Sequence, residues 1–458
     1  MIGGRLAMVA TATGGRLAGA DASFSGVSTD TRSLRPGELF FALQGAGSDG
    51  AAFVAEAARL GAAGAVVAAR QPLALPQVEV GDTRLALGEL ARSWRRRFDI
   101  PLIGITGSNG KTTVKEMSAA IMRTALGGAI DPLLVTWGNF NNEIGLPRTL
   151  FYLGEAHRAA VIEMGAARPG DIAYLARIAC PTVAVVNNAT CAHLQGFGSI
   201  EAVAATKGEI YDALPAAGTA VVNRDDRFFD AWWERSSGRR RLSFGLHPQA
   251  DFRASDIRVG ECLDFRLHAP GGTVAVRLAM AGSHNVPNAL AAAAVTHAAG
   301  APLQAIADGL ARVRNVSGRL RRVPAAAGLA LYDDSYNANP ASVRAAIGFL
   351  GALAGERWLV LGDMAELGPD SAQMHREIGA CAREAGIPRL FCTGNQSREA
   401  AEAFGRGARW FAELPALLSA LQAELVPGST VLVKGSRSMG MERVVQALAA
   451  AGTERAEG

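Results

Sequence analysis

One ten-residue stretch restricts the fold of this chain more than any other: Gly104-Ile-Thr-Gly-Ser-Asn-Gly-Lys-Thr-Thr113. The apolar run Pro101–Thr106 reads as a short buried strand, and a helical pattern begins at Lys111. Glycines placed between a strand and a helix let backbone N–H groups turn inward on an anion. The helix N-terminus adds partial positive charge at the same place. Lys111 can reach terminal phosphates, and Thr112 is the expected Mg2+ ligand. The spacing departs from the general G-x-x-x-x-G-K-[ST] loop, because position 105 is Ile and the nearest glycines are Gly104 and Gly107. A Gly-rich turn without a ligand is the bland alternative. The coincidence of strand, glycines, Lys and Thr-Thr favours ATP.

The rest of the chain is read around that loop. Its 458 residues suggest about three domains as a length prior. A first block, residues 1–82, mixes short strands (Leu39–Leu43, Ala65–Ala68, Val78–Val80) with a helix from Ala51 to Leu60. A helical pattern at Arg84–Phe98 leads into a second block, 83–312, where strands Ala159–Glu163 and Thr182–Asn187 alternate with helices from Asp171 and Ser199. Such alternation marks βαβ units and a parallel sheet. Between Arg241 and Arg277 short alternating strands predict an antiparallel annex, and Ala-rich helices at Asn285–Ala299 and Leu303–Leu310 follow. The third block, 313–458, alternates again, with strands at Leu329–Asp333, Arg357–Leu361, Arg389–Thr393 and Thr430–Lys434. The expected class is therefore α/β: a small N-terminal α/β domain, a central P-loop ATPase-type parallel sheet with an antiparallel annex, and a C-terminal Rossmann-like sheet.

Composition excludes several other classes. With 49% hydrophobic and 19% charged residues the chain is globular rather than disordered. Net charge is +4, and the cluster Arg95-Arg96-Arg97 follows a helical pattern, so it reads as a solvated helix end rather than a nucleic-acid footprint. Five scattered cysteines without a C-x-x-C pair argue against a disulfide framework or zinc site and for a reducing compartment. The apolar start is broken by Thr11, Thr13, Gly14 and Gly15, unlike a signal peptide. No apolar run reaches eighteen residues, so neither membrane insertion nor a location outside the cytoplasm is expected.

The variant loop Thr106-Gly-Ser-Asn-Gly-Lys-Thr-Thr113 resembles that of the Mur ligase family, and four further segments extend the resemblance over essentially the whole chain. They are Thr136-Trp-Gly-Asn-Phe-Asn-Asn-Glu-Ile-Gly-Leu-Pro147, Asn187-Asn-Ala-Thr-Cys-Ala-His-Leu-Gln-Gly-Phe197, Lys207-Gly-Glu-Ile210 and Asp333-Asp-Ser-Tyr-Asn-Ala-Asn-Pro340. The resemblance implies a UDP-sugar domain, a central ATPase and a C-terminal domain that closes over ATP and binds the incoming group. It also implies roles residue by residue. Gly107, Ser108, Asn109, Gly110, Lys111, Thr112 and Thr113, with Asn285, Arg319 and Asp334, would hold ATP. Thr112, Glu163, His193 and Lys207 would hold magnesium, with Lys111 beside them as the catalytic set.

Some residues keep a second reading. Without the family, Glu163 is equally a solvated strand end, His193 a structural histidine and Lys207 a helix lysine paired with an acid. Lys207 resembles a lysine that family members carry as a carbamate. Carbon dioxide adds only to a neutral amine, so that reading requires a desolvated lysine of lowered pKa. Ser28, Thr29, Asp30 and Arg32, together with Gly47-Ser-Asp-Gly50, resemble a UDP-sugar pocket, with an ordinary turn as the alternative. Asn139, Asn141 and Asn142 precede a helix and are expected to meet the substrate. Lys434 and Arg437 suit a carboxylate on the acceptor side. Within the family the motifs imply ATP-driven joining of D-alanyl-D-alanine to a UDP-N-acetylmuramoyl-tripeptide by a monomer. The Asp-Asn-Pro-Arg motif of the step adding the third amino acid is replaced by Leu361-Gly-Asp-Met-Ala-Glu-Leu-Gly368.

Overall fold

Strands such as Ala159-Ala-Val-Ile-Glu163 and Val183-Ala-Val-Val186 are apolar at nearly every position, the composition of strands covered on both faces. In the computed structural model they lie at the centre of a parallel sheet. It describes residues 1–45, 49–128, 130–191, 194–313, 317–325 and 328–450. Six described strands run in the order Arg240–Phe244, Thr219–Asn223, Val183–Val186, Leu102–Thr106, Ala159–Glu163, Leu133–Val135. All are parallel. The strand Leu102–Thr106, earliest of the six in sequence, sits between two strands formed later, so the connections diverge on either side of it. Open α/β sheets bind ligands at such a switch point, beyond the C-terminal strand ends.

The helix Lys111–Leu126 leaves that switch point, and helices Asn285–Ala298 and Leu303–Arg312 pack against it. Its far face joins a core that includes Ile103, Val161, Val185 and the annex residues Phe265 and Leu267. The annex is the antiparallel sheet Arg253–Val259, Leu263–Ala269, Gly272–Leu278. It is smaller than expected, since Arg240–Phe244 pairs in parallel with Thr219–Asn223 and belongs to the main sheet. Phe244 is fully buried in the core beneath Asn285–Ala298, which draws its strand to the sheet edge.

The N-terminal sheet orders its strands Arg16–Ala18, Gln77–Glu79, Gly64–Val67, Leu39–Phe41, Val27–Ser28. The apolar start forms a helix, Leu6–Thr13, with Leu6 and Val9 fully buried. The helix Thr83–Arg95, capped by the Asp82 carboxylate, packs on both this helix and the central layer. One continuous core accordingly runs from Ile2 and Phe41 to Ile162 and Val186. Arg95 does not end in solvent as expected: it turns inward and donates to the carbonyls of Ala179, Phe98 and Ile100. In the C-terminal sheet the order is Arg321–Val323, Ala330–Asp334, Thr430–Lys434, Arg357–Gly362, Arg389–Thr393, Ala408–Phe411, with only the first strand antiparallel. The C-terminal ends of its strands face the central switch point.

Candidate active site

A cleft of about 1390 Å3 opens where the two large sheets meet, walled by Lys111, Glu163, Asn285, Arg319, Asp334 and Lys434. The phosphate loop forms its floor. Gly107 and Gly110 have φ of 151° and 79°, and a Cβ on Gly110 would lie 2.4 Å from the Asn288 side-chain oxygen and 2.5 Å from the Asn187 amide nitrogen. Glycine is required there by both conformation and space. Ser108 and Asn109 donate their backbone N–H groups to Asn188, to its carbonyl at 2.9 Å and to its Oδ1 at 2.8 Å. Those two amides tie the loop to the neighbouring strand end. The first-turn N–H groups of Lys111, Thr112 and Thr113 have no intrahelical acceptor, and they supply the anion-binding edge.

Lys111 Nζ donates to the Gly107 carbonyl at 2.7 Å, and burial pushes its pKa below the usual lysine value, opposed by the Glu163 charge. Thr112 Oγ1 donates to Glu163 Oε2 at 2.9 Å, and Asn141 Nδ2 donates to Glu163 Oε1 at 2.9 Å. The Glu163 backbone N–H donates to Thr136 Oγ1. Glu163 is therefore a carboxylate held from two sides, with its backbone anchored to Thr136, at the end of its strand and 3% exposed, and not a solvated strand end. Lys207, on the helix Ile200–Asp212, is 2% exposed. Burial lowers its pKa well below 10.5, and the charge of Lys111 adds to the effect. Among the described residues no carboxylate pairs with it, which removes the helix ion pair as its explanation. His193 lies outside the described residues, as do Gly47 and Ser48.

The third sheet meets this floor directly. Arg319 Nη2 donates to Thr112 Oγ1 at 2.8 Å, and its guanidinium stacks 4.4 Å from the Tyr336 ring centre. Asp334 accepts from the Leu320 N–H and from Lys434 Nζ at 2.7 Å. Their strands are in register at these two residues. Lys434 is thus a partner of Asp334 and of the Asn337 carbonyl, while Arg437 lines the cleft from an exposed position. Asn285, at the start of its helix, donates to the Ala281 carbonyl and accepts from Asn288.

Not every expected residue gathers here. Asn139 and Asn142 both line the cleft, although Asn142 spends its Oδ1 on the N–H groups of Ile144 and Gly145 at the start of the helix Gly145–Leu150. Ser28 and Asp30 lie at the edge of the N-terminal sheet and are not part of the cleft wall. Their neighbours Thr29 and Arg32 follow the same turn. The Arg32 guanidinium holds the Asp30 carboxyl down to about 2, and Arg148 lies close enough to add to that effect. Four polar residues at the loop escaped the sequence reading as site residues: Asn187, Asn188, Asn288 and Asn339. The Asn-Asn doublet at a strand end and an Asn before Pro340 were the available signals.

The fold and the cleft define a three-domain P-loop enzyme that spends a nucleoside triphosphate. Three family models cover the chain in order: the Mur ligase family catalytic domain at residues 23–95, the middle domain at 105–296, and the glutamate ligase domain at 318–437. The chain is 43% identical to the UDP-N-acetylmuramoyl-tripeptide–D-alanyl-D-alanine ligase of Escherichia coli strain K12, across 99% of this chain and all of that one. Among solved structures it is similar to MurF from Acinetobacter baumannii (34% identity, TM-score 0.92, 98% of this chain and 99% of that). MurF from Thermotoga maritima in complex with ADP matches with 28% identity and a TM-score of 0.84 over 94% of this chain and 98% of that one. The chain belongs to the Mur ligase family.

Proposed function

We propose that this chain joins D-alanyl-D-alanine to UDP-N-acetylmuramoyl-tripeptide, consuming ATP and releasing ADP and phosphate. The product is the UDP-linked pentapeptide precursor of peptidoglycan. The observation that carries the reading is the convergence of Lys111, Thr112, Glu163 and Arg319 at one phosphate loop, in a chain similar end to end to ligases named for this reaction.

The chemistry follows from what these residues can do. A carboxylate is a poor electrophile, so the tripeptide's terminal carboxylate oxygen attacks the γ-phosphorus and ADP leaves. The amine of the dipeptide then attacks the acyl phosphate carbonyl. The tetrahedral intermediate expels phosphate, and the nitrogen loses a proton as the amide forms. Lys111 and the first-turn N–H groups balance charge on the transferring phosphoryl group, and Arg319 brings a further cation from the third domain. Thr112 and Glu163 offer hard oxygen donors 2.9 Å apart, a set that suits Mg2+, which takes one or two carboxylates and leaves room for phosphate oxygens. Bound there, the ion would neutralise phosphate charge. Asn285 and Asp334 are assigned to the nucleotide, Ser28–Arg32 to the UDP-sugar, and Lys434 with Arg437 to the dipeptide side.

Lys207 is a buried amine whose pKa burial lowers well below the usual lysine value, which favours the neutral form to which CO2 adds, and we assign it a carbamate that would bring two oxygens to the metal set. Turnover should fall when CO2 and bicarbonate are stripped from the buffer and return on adding bicarbonate; indifference to both would leave Lys207 an unmodified amine. The division of labour is proposed as 1–82 for the UDP-sugar, 83–312 for ATP and 313–458 for closure and the dipeptide. The working unit is taken as a cytoplasmic monomer that uses no nucleic acid. Among the described residues no helix is long and apolar enough to cross a membrane, and all five cysteines are free thiols.

The deciding experiment measures phosphate release from ATP and UDP-muramoyl-tripeptide with and without D-alanyl-D-alanine. Release that needs the dipeptide, with a product heavier by that dipeptide minus water, is the expected result. Release driven by a single amino acid on a shorter precursor would keep the family and overturn the step.

A further inference from the structure

Asn109 has all of its polar atoms engaged. Its N–H donates to Asn188 Oδ1 at 2.8 Å, and its carbonyl accepts from the side-chain amides of Asn187 and Asn188 at 2.9 and 3.1 Å. Its side-chain Nδ2 donates to Thr190 Oγ1 at 3.0 Å. The remaining atom, Oδ1, accepts from Asn339 Nδ2 at 2.7 Å, across the boundary between the central and C-terminal domains. Asn339 is oriented from its own side. Its Oδ1 accepts from the Ser342 N–H at 2.9 Å and its N–H donates to Ser342 Oγ at 3.0 Å, a capping box at the start of the helix Pro340–Gly351. The cap consumes the acceptor of the amide and leaves only its donor, pointing at the phosphate loop. Asn339 is 8% exposed, so water competes little for this contact.

We propose that Asn339 is a positioning residue that latches the C-terminal domain onto the phosphate loop during turnover. The latch reports the shape of residues 107–110 to the helix Pro340–Gly351, so the third domain seats fully only on a correctly folded loop. Seating excludes water from the acyl phosphate until the amine arrives. The inference rests on the ligase reading above, and it adds a residue at the wall of the cleft that acts through Asn109 of the phosphate loop.

The test uses the full chain with Asn339→Ser and Asn339→Thr. Both hydroxyl residues cap helices well but are too short to reach Asn109. A lost neutral hydrogen bond of about 1 kcal/mol shifts closure by about five-fold. Both variants should keep their Tm, bind ADP normally and show kcat/KM for the dipeptide lowered by about that factor. They should also release more than one ADP per amide formed, because the unlatched acyl phosphate is hydrolysed. A lowered Tm with the ADP-to-amide ratio still at unity would make Asn339 a helix cap only and overturn the proposal, as would unaltered kinetics. If the unmodified chain makes no amide at all, the ligase reading fails instead.

Discussion

Glu163 shows how one side chain acquires a role that its type alone does not specify. Thr112 and Asn141 fix its carboxylate beside the phosphate loop, where on the proposed reading phosphate and a divalent cation would meet. Replacing it with Gln keeps the size and most contacts while removing the charge. Steady-state ADP release should fall by about 100- to 1000-fold, the scale of losing one preorganised electrostatic group. Unchanged Mg2+ dependence in Glu163→Gln would remove it from the metal set. His375 gives a residue-level test by pH. It is fully buried behind the Leu361–Gly368 segment, with Nδ1 hydrogen-bonded to the Ser371 carbonyl at 2.8 Å and Nε2 accepting from the Met364 N–H at 3.0 Å. Burial pulls its pKa below 6.5, against the opposing charges of Asp363 and Glu399. The unfolded chain therefore binds the proton more readily. His375 stabilises fully above pH 6.5, and that contribution is lost as pH falls through the lower folded value. Tm measured from about pH 7 to about pH 5 should decline less steeply in His375→Gln than in the parent chain.

Helices set the phosphate loop from behind. The helix Leu303–Arg312 approaches Lys111–Leu126 so closely at Gly309 that an added Cβ would lie 2.5 Å from the Ile121 Cα. Backbone cannot yield as a flexible side chain does, so Gly309→Ala should cost about 1–3 kcal/mol, read by denaturant unfolding. Stability equal to the parent would mean that the two helices slide apart freely. Because Lys111 opens the affected helix, the same variant should weaken ATP binding although it lies far from the cleft. Buried Lys115 braces the opposite side of that helix, donating to the Thr136 carbonyl at 3.0 Å and thereby holding the loop that carries Asn141.

At the scale of the molecule, the cleft is completed by two sheets that are far apart in sequence. Arg319 reaches Thr112 and Asn339 reaches Asn109, so neither domain holds the whole site. A chain ending after Arg312 keeps the phosphate loop, the sheet around it and Glu163. It should bind ATP, seen by equilibrium titration, yet form no amide at any dipeptide concentration. Turnover by the truncated chain would place the chemistry in the central domain alone.

Much of this was legible in order along the chain. The strand-glycine-lysine sequence at 104–113 dictates a buried strand, a turn of positive φ and a helix N-terminus whatever surrounds them, because each is a local preference of backbone and side chain. The alternation of apolar runs with helical periodicity likewise specified parallel sheets, and Ala159–Glu163, Arg389–Thr393 and Thr430–Lys434 begin and end where the pattern does. What the pattern could not carry is which strand neighbours which. Arg240–Phe244 reads like annex but completes the main sheet, since pairing is settled by the core beneath Phe244 rather than by its own five residues. Arg95 reads as a solvated charge but is buried, because backbone carbonyls 3 to 85 residues away happen to converge on it. The asparagine set around the loop is signalled only by the Asn187-Asn188 doublet and the Asn before Pro340, because an amide's role depends on which donors and acceptors the folded chain brings within 3 Å of it. Local sequence determined the elements and the chemistry of the loop; only tertiary packing decided which distant side chains complete the site.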